Sequence, residues 1–107
     1  METNPKPWTV YLSGPMRDRE DFNYPAFDAA ARRLRAIGVN VINPAESFGG
    51  RTDLPIETYL RFDIAAILTT ADSVQMLEGW EDSPGARLEK AVAEAIGLPV
   101  AYPEVGE

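Results

Sequence analysis

Neither cysteine nor histidine occurs in this chain of 107 residues. Their joint absence excludes thiol nucleophiles, Ser-His-Asp machinery, disulfides and the usual zinc sites, so any catalysis rests on carboxylates, hydroxyls, Lys or Arg. Positive charge is scarce as well. With 10 Lys and Arg against 17 Asp and Glu, the net charge of −7 repels a phosphate polymer and argues against DNA or RNA as a partner. A small anion held by local donors stays compatible. No apolar run approaches the roughly 20 residues of a membrane span, and Met1 to Pro7 lacks the apolar core of a signal peptide. The expectation is a cytoplasmic protein of one domain over 1–107, with 1–7 and 103–107 as mobile tails. Hydrophobic residues at 45% and charged ones at 25% are ordinary for a soluble globule.

Trp8-Thr9-Val10-Tyr11-Leu12 is a β-prone run that Ser13-Gly14-Pro15 ends abruptly. The polar segment from Ser13 to Asn23 reads as a long loop. Phe27, Ala30, Ala31, Leu34 and Ile37 recur at helical spacing, which predicts a helix capped by Asn23 and stopped by Gly38. Arg32, Arg33 and Arg35 near its end suit the helix macrodipole and read as a solvated face rather than a phosphate patch. Val39 to Ile42 forms a second strand, and Ala45 to Pro55 a loop with Gly49-Gly50 at its most flexible point. Ile56, Tyr59, Leu60, Ile64, Ile67 and Leu68 make the apolar face of a second helix. Stepping about 100° per residue puts Asp63 inside that face, out of pattern for a carboxylate. Asp72 to Leu77 is a third strand, Pro84 to Ile96 a third helix stopped by Gly97, and Leu98 to Tyr102 a fourth strand.

This alternation predicts an α/β fold: a three-layer, doubly wound parallel sheet of about four strands, flavodoxin- or Rossmann-like, in the order 2-1-3-4 with helices on both faces. The topological switch then lies between the first and third strands. A ligand should bind where the chain leaves them, at Ser13 to Arg17 and Glu78 to Ser83. In the second exit Ser83 is a good N-cap and Pro84 fits the first helical position. Gly85 leaves the free amides of that turn open to a small anion, and Glu89 follows one turn further along the same helical face.

Glu89 falls at the edge of a stripe formed by Leu88, Ala91, Val92, Ala95 and Ile96, half-buried in this reading. From pattern alone it reads first as a plain helix glutamate, and its nearness to the helix N-terminus and the switch point raises the reading as a functional carboxylate. Asp63 on an apolar face must be paired, hydrogen-bonded or protonated, which points to a raised pKa or to a bond with a loop amide. Tyr11 is either core with a wet tip or a hydroxyl donor in the crevice. Arg17 is either solvated or in reach of an anion at Ser83 and Gly85. Trp80 beside Gly79 is either a wall for a planar base or a hydrophobic lid. Neither a GxGxxG nor a P-loop motif is present.

Tyr11-Leu12-Ser13-Gly14-Pro15-Met16-Arg17, Asp63 and Gly79-Trp80-Glu81-Asp82-Ser83-Pro84-Gly85-Ala86-Arg87-Leu88-Glu89 together resemble the nucleoside 2-deoxyribosyltransferase superfamily, and more narrowly its small branch of domains of unknown function. The resemblance runs from about Trp8 to Tyr102. It combines a Tyr-x-x-Gly-x-x-Arg loop with a Ser-x-Gly-x-x-x-Glu spacing. The resemblance implies an N-glycosidase that cleaves the base–sugar bond of (deoxy)nucleoside 5′-monophosphates through a covalent glycosyl-Glu89 intermediate. By that resemblance Glu89 is the nucleophile toward C1′, Tyr11 the hydroxyl that positions it, and Asp63 the acid assisting the departing base. Ser83, the Gly85 amide and Arg17 match the holders of the 5′-phosphate, because transferases of free nucleosides have an acidic residue where this chain has Ser83. Ser13, Gly14 and, from its place at the strand exit, Trp80 complete the expected substrate-binding set. No cofactor and no metal are implied. The partner is a small-molecule nucleotide or nucleoside, and the protein a homodimer or higher homo-oligomer.

Two departures from the pattern keep alternatives in view. Pro15 replaces a serine that donates to phosphate in the hydrolases, and a prolyl nitrogen has no N–H to substitute. Family members also complete the site with a polar residue of a neighbouring subunit, on a segment after the last strand, whereas this chain ends at Glu107. Either the loop Asn43 to Asp53 supplies that group, or the site is incomplete. The alternatives are a nucleoside 2-deoxyribosyltransferase that exchanges bases and a non-catalytic nucleotide-binding or sensing module.

Overall fold

The computed structural model describes residues 7–17 and 19–103. The tails expected at 1–7 and 103–107 therefore lie outside the described residues, apart from Pro7 and Pro103. Four short strands, β1 (Thr9–Ser13), β2 (Asn40–Ile42), β3 (Ser73–Met76) and β4 (Val100–Ala101), form one sheet in the order β2-β1-β3-β4. Every pairing is parallel, and Tyr11 stands opposite both Ile42 and Val74. The crossovers carry α1 (Tyr24–Ala36), α2 (Pro44–Ser47), α3 (Ile56–Thr69) and α4 (Pro84–Ala95). This is the 2-1-3-4 arrangement that the alternating pattern predicts.

Alternation along β1 sets the layers, since successive side chains of a strand point to opposite faces. Val10 and Leu12 pack with Phe27, Ala30 and Ala31 of α1 and Ala45 of α2. On the other face Tyr11, Val74 and Met76 pack with Ile67 of α3 and with Ala86 and Ala93 of α4. Helices thus cover both faces. All five residues of β1 are buried, as a central strand of a doubly covered parallel sheet requires. The start of β1 is tied to β3, because Thr9 N donates to Asp72 Oδ2 and Asp72 N to Thr9 O, each at 2.8 Å. Among the described residues no helix is long and apolar enough to cross a membrane.

Three local expectations are corrected. Asn23 precedes α1 without capping it: its φ is 58°, and its Nδ2 donates instead to Pro15 O at 2.9 Å. Asp21, Phe22 and Asn23 all have positive φ, 53°, 54° and 58°, so the chain makes a left-handed turn before the helix. The segment read as loop from Ala45 begins inside α2, where Asn43 Oδ1 accepts from the Ala45 amide at 3.0 Å. A single turn is too short to show a hydrophobic period.

The third correction concerns which helix faces are buried. In α4 the buried residues are Ala86, Glu89 and Ala93, whereas Leu88, Ala91, Ala95 and the following Ile96 are exposed. Small side chains let α4 lie close to the sheet, and the larger apolar ones turn outward. In α3 Asp63 and Ile67 are buried, but Ile56 and Leu68 are exposed, and Ile37 past the end of α1 is 74% exposed. The solvated reading of the arginines holds for Arg35, which clasps Glu46 on the surface with two bonds of 2.9 and 2.8 Å.

Candidate active site

β1 ends at Ser13 and β3 at Met76, partners in register, and beside their exits opens a cleft of about 400 Å³. That volume lies in the roughly 300–1,000 Å³ range of small-ligand sites. Tyr11, Asp63 and Glu89 line its deep end, Gly14 to Arg17 and Arg19 one rim, and Asp82, Ser83 and Gly85 another. Phe22, Tyr24, Tyr59 and Leu60 supply apolar surface between them. The two strand exits singled out by topology do meet in space.

Glu89 is held from both sides. The Tyr11 hydroxyl donates to Oε2 at 3.0 Å and the Ser13 hydroxyl to Oε1 at 2.6 Å. Both donors come from one face of β1, two residues apart, which is why a single strand reaches both oxygens. Burial pushes Glu89 up to about 7; the Ser13 bond pulls it down, the Asp63 charge raises it further and the Tyr11 bond again lowers it. Burial also pushes Asp63 up to about 6. Asp63 faces the same Tyr11 hydroxyl, whose single proton is committed to Glu89. Burial, followed by the charges of Glu89 and Asp63, holds Tyr11 well above its ordinary value, so it remains a donor. Near neutrality the two carboxylates therefore behave as a pair sharing about one proton.

The rims are built differently. Ser83 Oγ accepts from the Ala86 amide at 3.2 Å and caps α4 as expected. A Cβ at Gly85 would meet only Leu60 Cδ2 at 3.7 Å and Ser83 Oγ at 4.0 Å, so the first turn of α4 faces open space. A Cβ at Gly14 would stand 2.8 Å from Leu77 Cβ, so only glycine lets the β1 exit lie against the β3 exit. Arg17 and Arg19 line the cleft and, among the described residues, neither side chain makes a hydrogen bond or ion pair.

Glu89, Asp63, Tyr11, Gly14, Arg17, Ser83 and Gly85 are thus brought together, while two other candidates are placed elsewhere. Ser13 does not line the cleft; it stands behind Glu89 and anchors the carboxylate rather than a ligand. Trp80 is also outside the lining and packs against Tyr102 at 5.6 Å between ring centres, with Lys90 Nζ 5.7 Å from its own ring. Its bulk serves the second core cluster. The aromatic walls are instead Phe22, Tyr24 and Tyr59, of which only Tyr59 carried a signal, four residues before Asp63 on the same helical face. Arg19 was also missed, since an arginine in a polar loop reads as solvated. From the 43–53 loop only Pro44 reaches the lining, because Asn43 is engaged with Asp28 and the Ala45 amide, and Arg51 with Asp53.

Chemically, the deep end offers an oriented carboxylate beside a second carboxyl able to carry a proton, below a rim rich in anion donors. Among the described residues no cluster of three or more His, Cys, Asp or Glu is placed to hold a metal ion. A search of curated proteins found no match. The family model described as a domain of unknown function, DUF4406, matches residues 8–102, and the chain belongs to that family.

Proposed function

We propose that the protein is an N-glycosidase of (deoxy)nucleoside 5′-monophosphates, with Glu89 as the nucleophile. The observation that carries this reading is the buried Glu89, fixed by Tyr11 and Ser13, beside Asp63 in a cleft with an anion-accepting rim. The likeness of the same residues to the motifs of the nucleoside 2-deoxyribosyltransferase superfamily supports it. A Glu89 oxygen attacks C1′ as the C1′–N bond breaks, the bonding pair leaves with the base, and the Asp63 proton neutralises it. Water then cleaves the glycosyl ester, giving its proton to Asp63 and its hydroxyl to C1′. Two hydroxyl donors favour the ionised form of Glu89, and a ligand seated over Asp63 strips its remaining water, so the shared proton belongs on Asp63 in the complex. Ser83, the Gly85 amide and Arg17 receive the 5′-phosphate at the start of α4.

The test is base release. Each deoxynucleoside and its 5′-monophosphate is incubated with the protein and the products are separated by chromatography. Free base formed by the wild type but not by Glu89→Gln is expected; no release from any of them overturns the reading. Release only when a second base is supplied favours the base-exchanging transferase. Pro15 favours a third reading, a binding module without turnover, because it is buried on the rim where a phosphate donor would stand. Unchanged ligand recovered from a stoichiometric complex supports that one.

A homo-oligomer and a cytoplasmic location belong to the same proposal. The exposed apolar Leu88, Ala91 and Ala95 recur on one outer face of α4, the kind of stripe a second copy covers. Light scattering that reports a monomer would remove the oligomer.

A further inference from the structure

We infer that Arg19 is a ligand for a second phosphoryl group, so that the cleft takes a nucleoside 5′-diphosphate more tightly than the monophosphate. The inference rests on the nucleotide reading above for its ligand class, and its own support is local. The rim holds two guanidinium groups, Arg17 and Arg19, and the reading above assigns one phosphate to the first of these with Ser83 and the first turn of α4. Arg19 is therefore a surplus cation.

Arg19 is also a placed cation rather than a loose one. Its amide donates to Met16 O at 3.3 Å and its carbonyl accepts from Phe22 N at 3.0 Å, which fixes its backbone between two turns. The guanidinium lies against Gly79, with Nη2 3.0 Å and Nη1 3.4 Å from where a side chain of residue 79 would begin. Gly79 has a φ of 87°, so glycine both allows the backbone turn and leaves the room that Arg19 occupies. In a chain of net charge −7, an arginine docked on backbone at a cleft rim and, among the described residues, without a carboxylate partner keeps its donors for something else. A planar fork of donors suits a phosphoryl group. Arg19 lines the same cleft as Arg17, Ser83 and Gly85, so its guanidinium stands on the rim assigned to the first phosphate.

Equilibrium binding tests this directly, using titration calorimetry with deoxyadenosine, deoxyguanosine, deoxycytidine and thymidine 5′-mono- and diphosphates. For the base that binds best, the diphosphate is expected to bind about tenfold more tightly than the monophosphate, as one charge-assisted contact implies. Arg19→Gln should remove that preference and leave monophosphate affinity within about twofold, and Arg19→Lys should restore part of it. Equal affinity for both nucleotides in the wild type, or an Arg19→Gln protein that loses both equally while melting at the wild-type temperature, overturns the inference. A diphosphate preference in a protein that releases no base sinks the glycosidase reading alone. Base release without a diphosphate preference sinks this inference alone.

Discussion

The two faces of β1 do opposite work with the same backbone. Toward α1, Val10 and Leu12 pack into an apolar cluster with Phe27, Ala30 and Ala31, and among the described residues no carboxylate is buried there. Toward α3 and α4, Tyr11 and Ser13 put hydroxyls onto a carboxylate that burial has pushed to about 7. The difference teaches where the protein stores stability and where it gives stability up. A dry face gains from every methylene it buries, whereas a face with two buried carboxylates loses free energy that only a use for those groups explains.

The largest effects should come from removing the chemistry of the second face. Glu89→Gln keeps the shape and removes the nucleophile, so base release should fall by about 10³-fold or more. Asp63→Asn removes the proton carrier and should lower the rate by about 10²-fold, less for a base that leaves easily. A steady-state assay on both variants checks this, and equal losses from Val10→Ala would erase the contrast between the faces.

Val10→Ala tests the first face. Val10 is buried in the cluster with α1 and lies outside the cleft lining, so truncation should cost about 2 to 3 kcal/mol of stability from lost burial and the cavity left behind. The folded fraction should keep its specific activity. Urea titration combined with activity per folded molecule separates the two.

Glu89→Gln should also stabilise the fold, with a sign that depends on pH. The unfolded carboxyl releases its proton near 4.5, while the folded one keeps it up to about 7. Between those values the native state binds more protons, so wild-type stability falls as pH rises and levels off above about 7. The total amounts to about 3 kcal/mol. Glutamine does not titrate, so the variant should match the wild type at pH 4 and exceed it at pH 8 in denaturant unfolding. A constant difference across that range would mean that the folded Glu89 carboxyl is not raised above its unfolded value.

The same contrast explains what was legible in the sequence. The strand order followed from the β/α alternation, because right-handed crossovers leave few parallel arrangements for four strands. Asp63 and Glu89 stood out because a carboxylate interrupts or borders a helical apolar pattern, which is a rule about the wet face. The orientation of α4 was not legible, because its largest apolar residues point outward and the alanines that pack were a weaker signal. Trp80 misled for a related reason: its position at a strand exit suggested a ligand wall, but its ring found Tyr102 from beyond the last strand, a long-range contact that spacing does not encode. The left-handed turn at Asp21-Phe22-Asn23 that puts Phe22 on the cleft has no glycine to announce it.

The smallest effect, and the sharpest, concerns Ser13, which lies on the wet face yet touches no ligand space. Its hydroxyl favours the charged form of Glu89, so Ser13→Ala should strengthen the hold of Glu89 on the shared proton. The wild-type profile of kcat/KM should be a bell with limbs near the pair's values of about 6 and about 7. In the variant the singly protonated pair persists to higher pH, which moves the alkaline limb up by about one pH unit. Its proton sits more often on Glu89 than on Asp63, so the maximum drops as the limb moves. A merely structural loss would lower the whole bell and leave both limbs where they were. Ser13→Thr keeps the hydroxyl and should restore the limb, provided its added methyl fits behind Glu89.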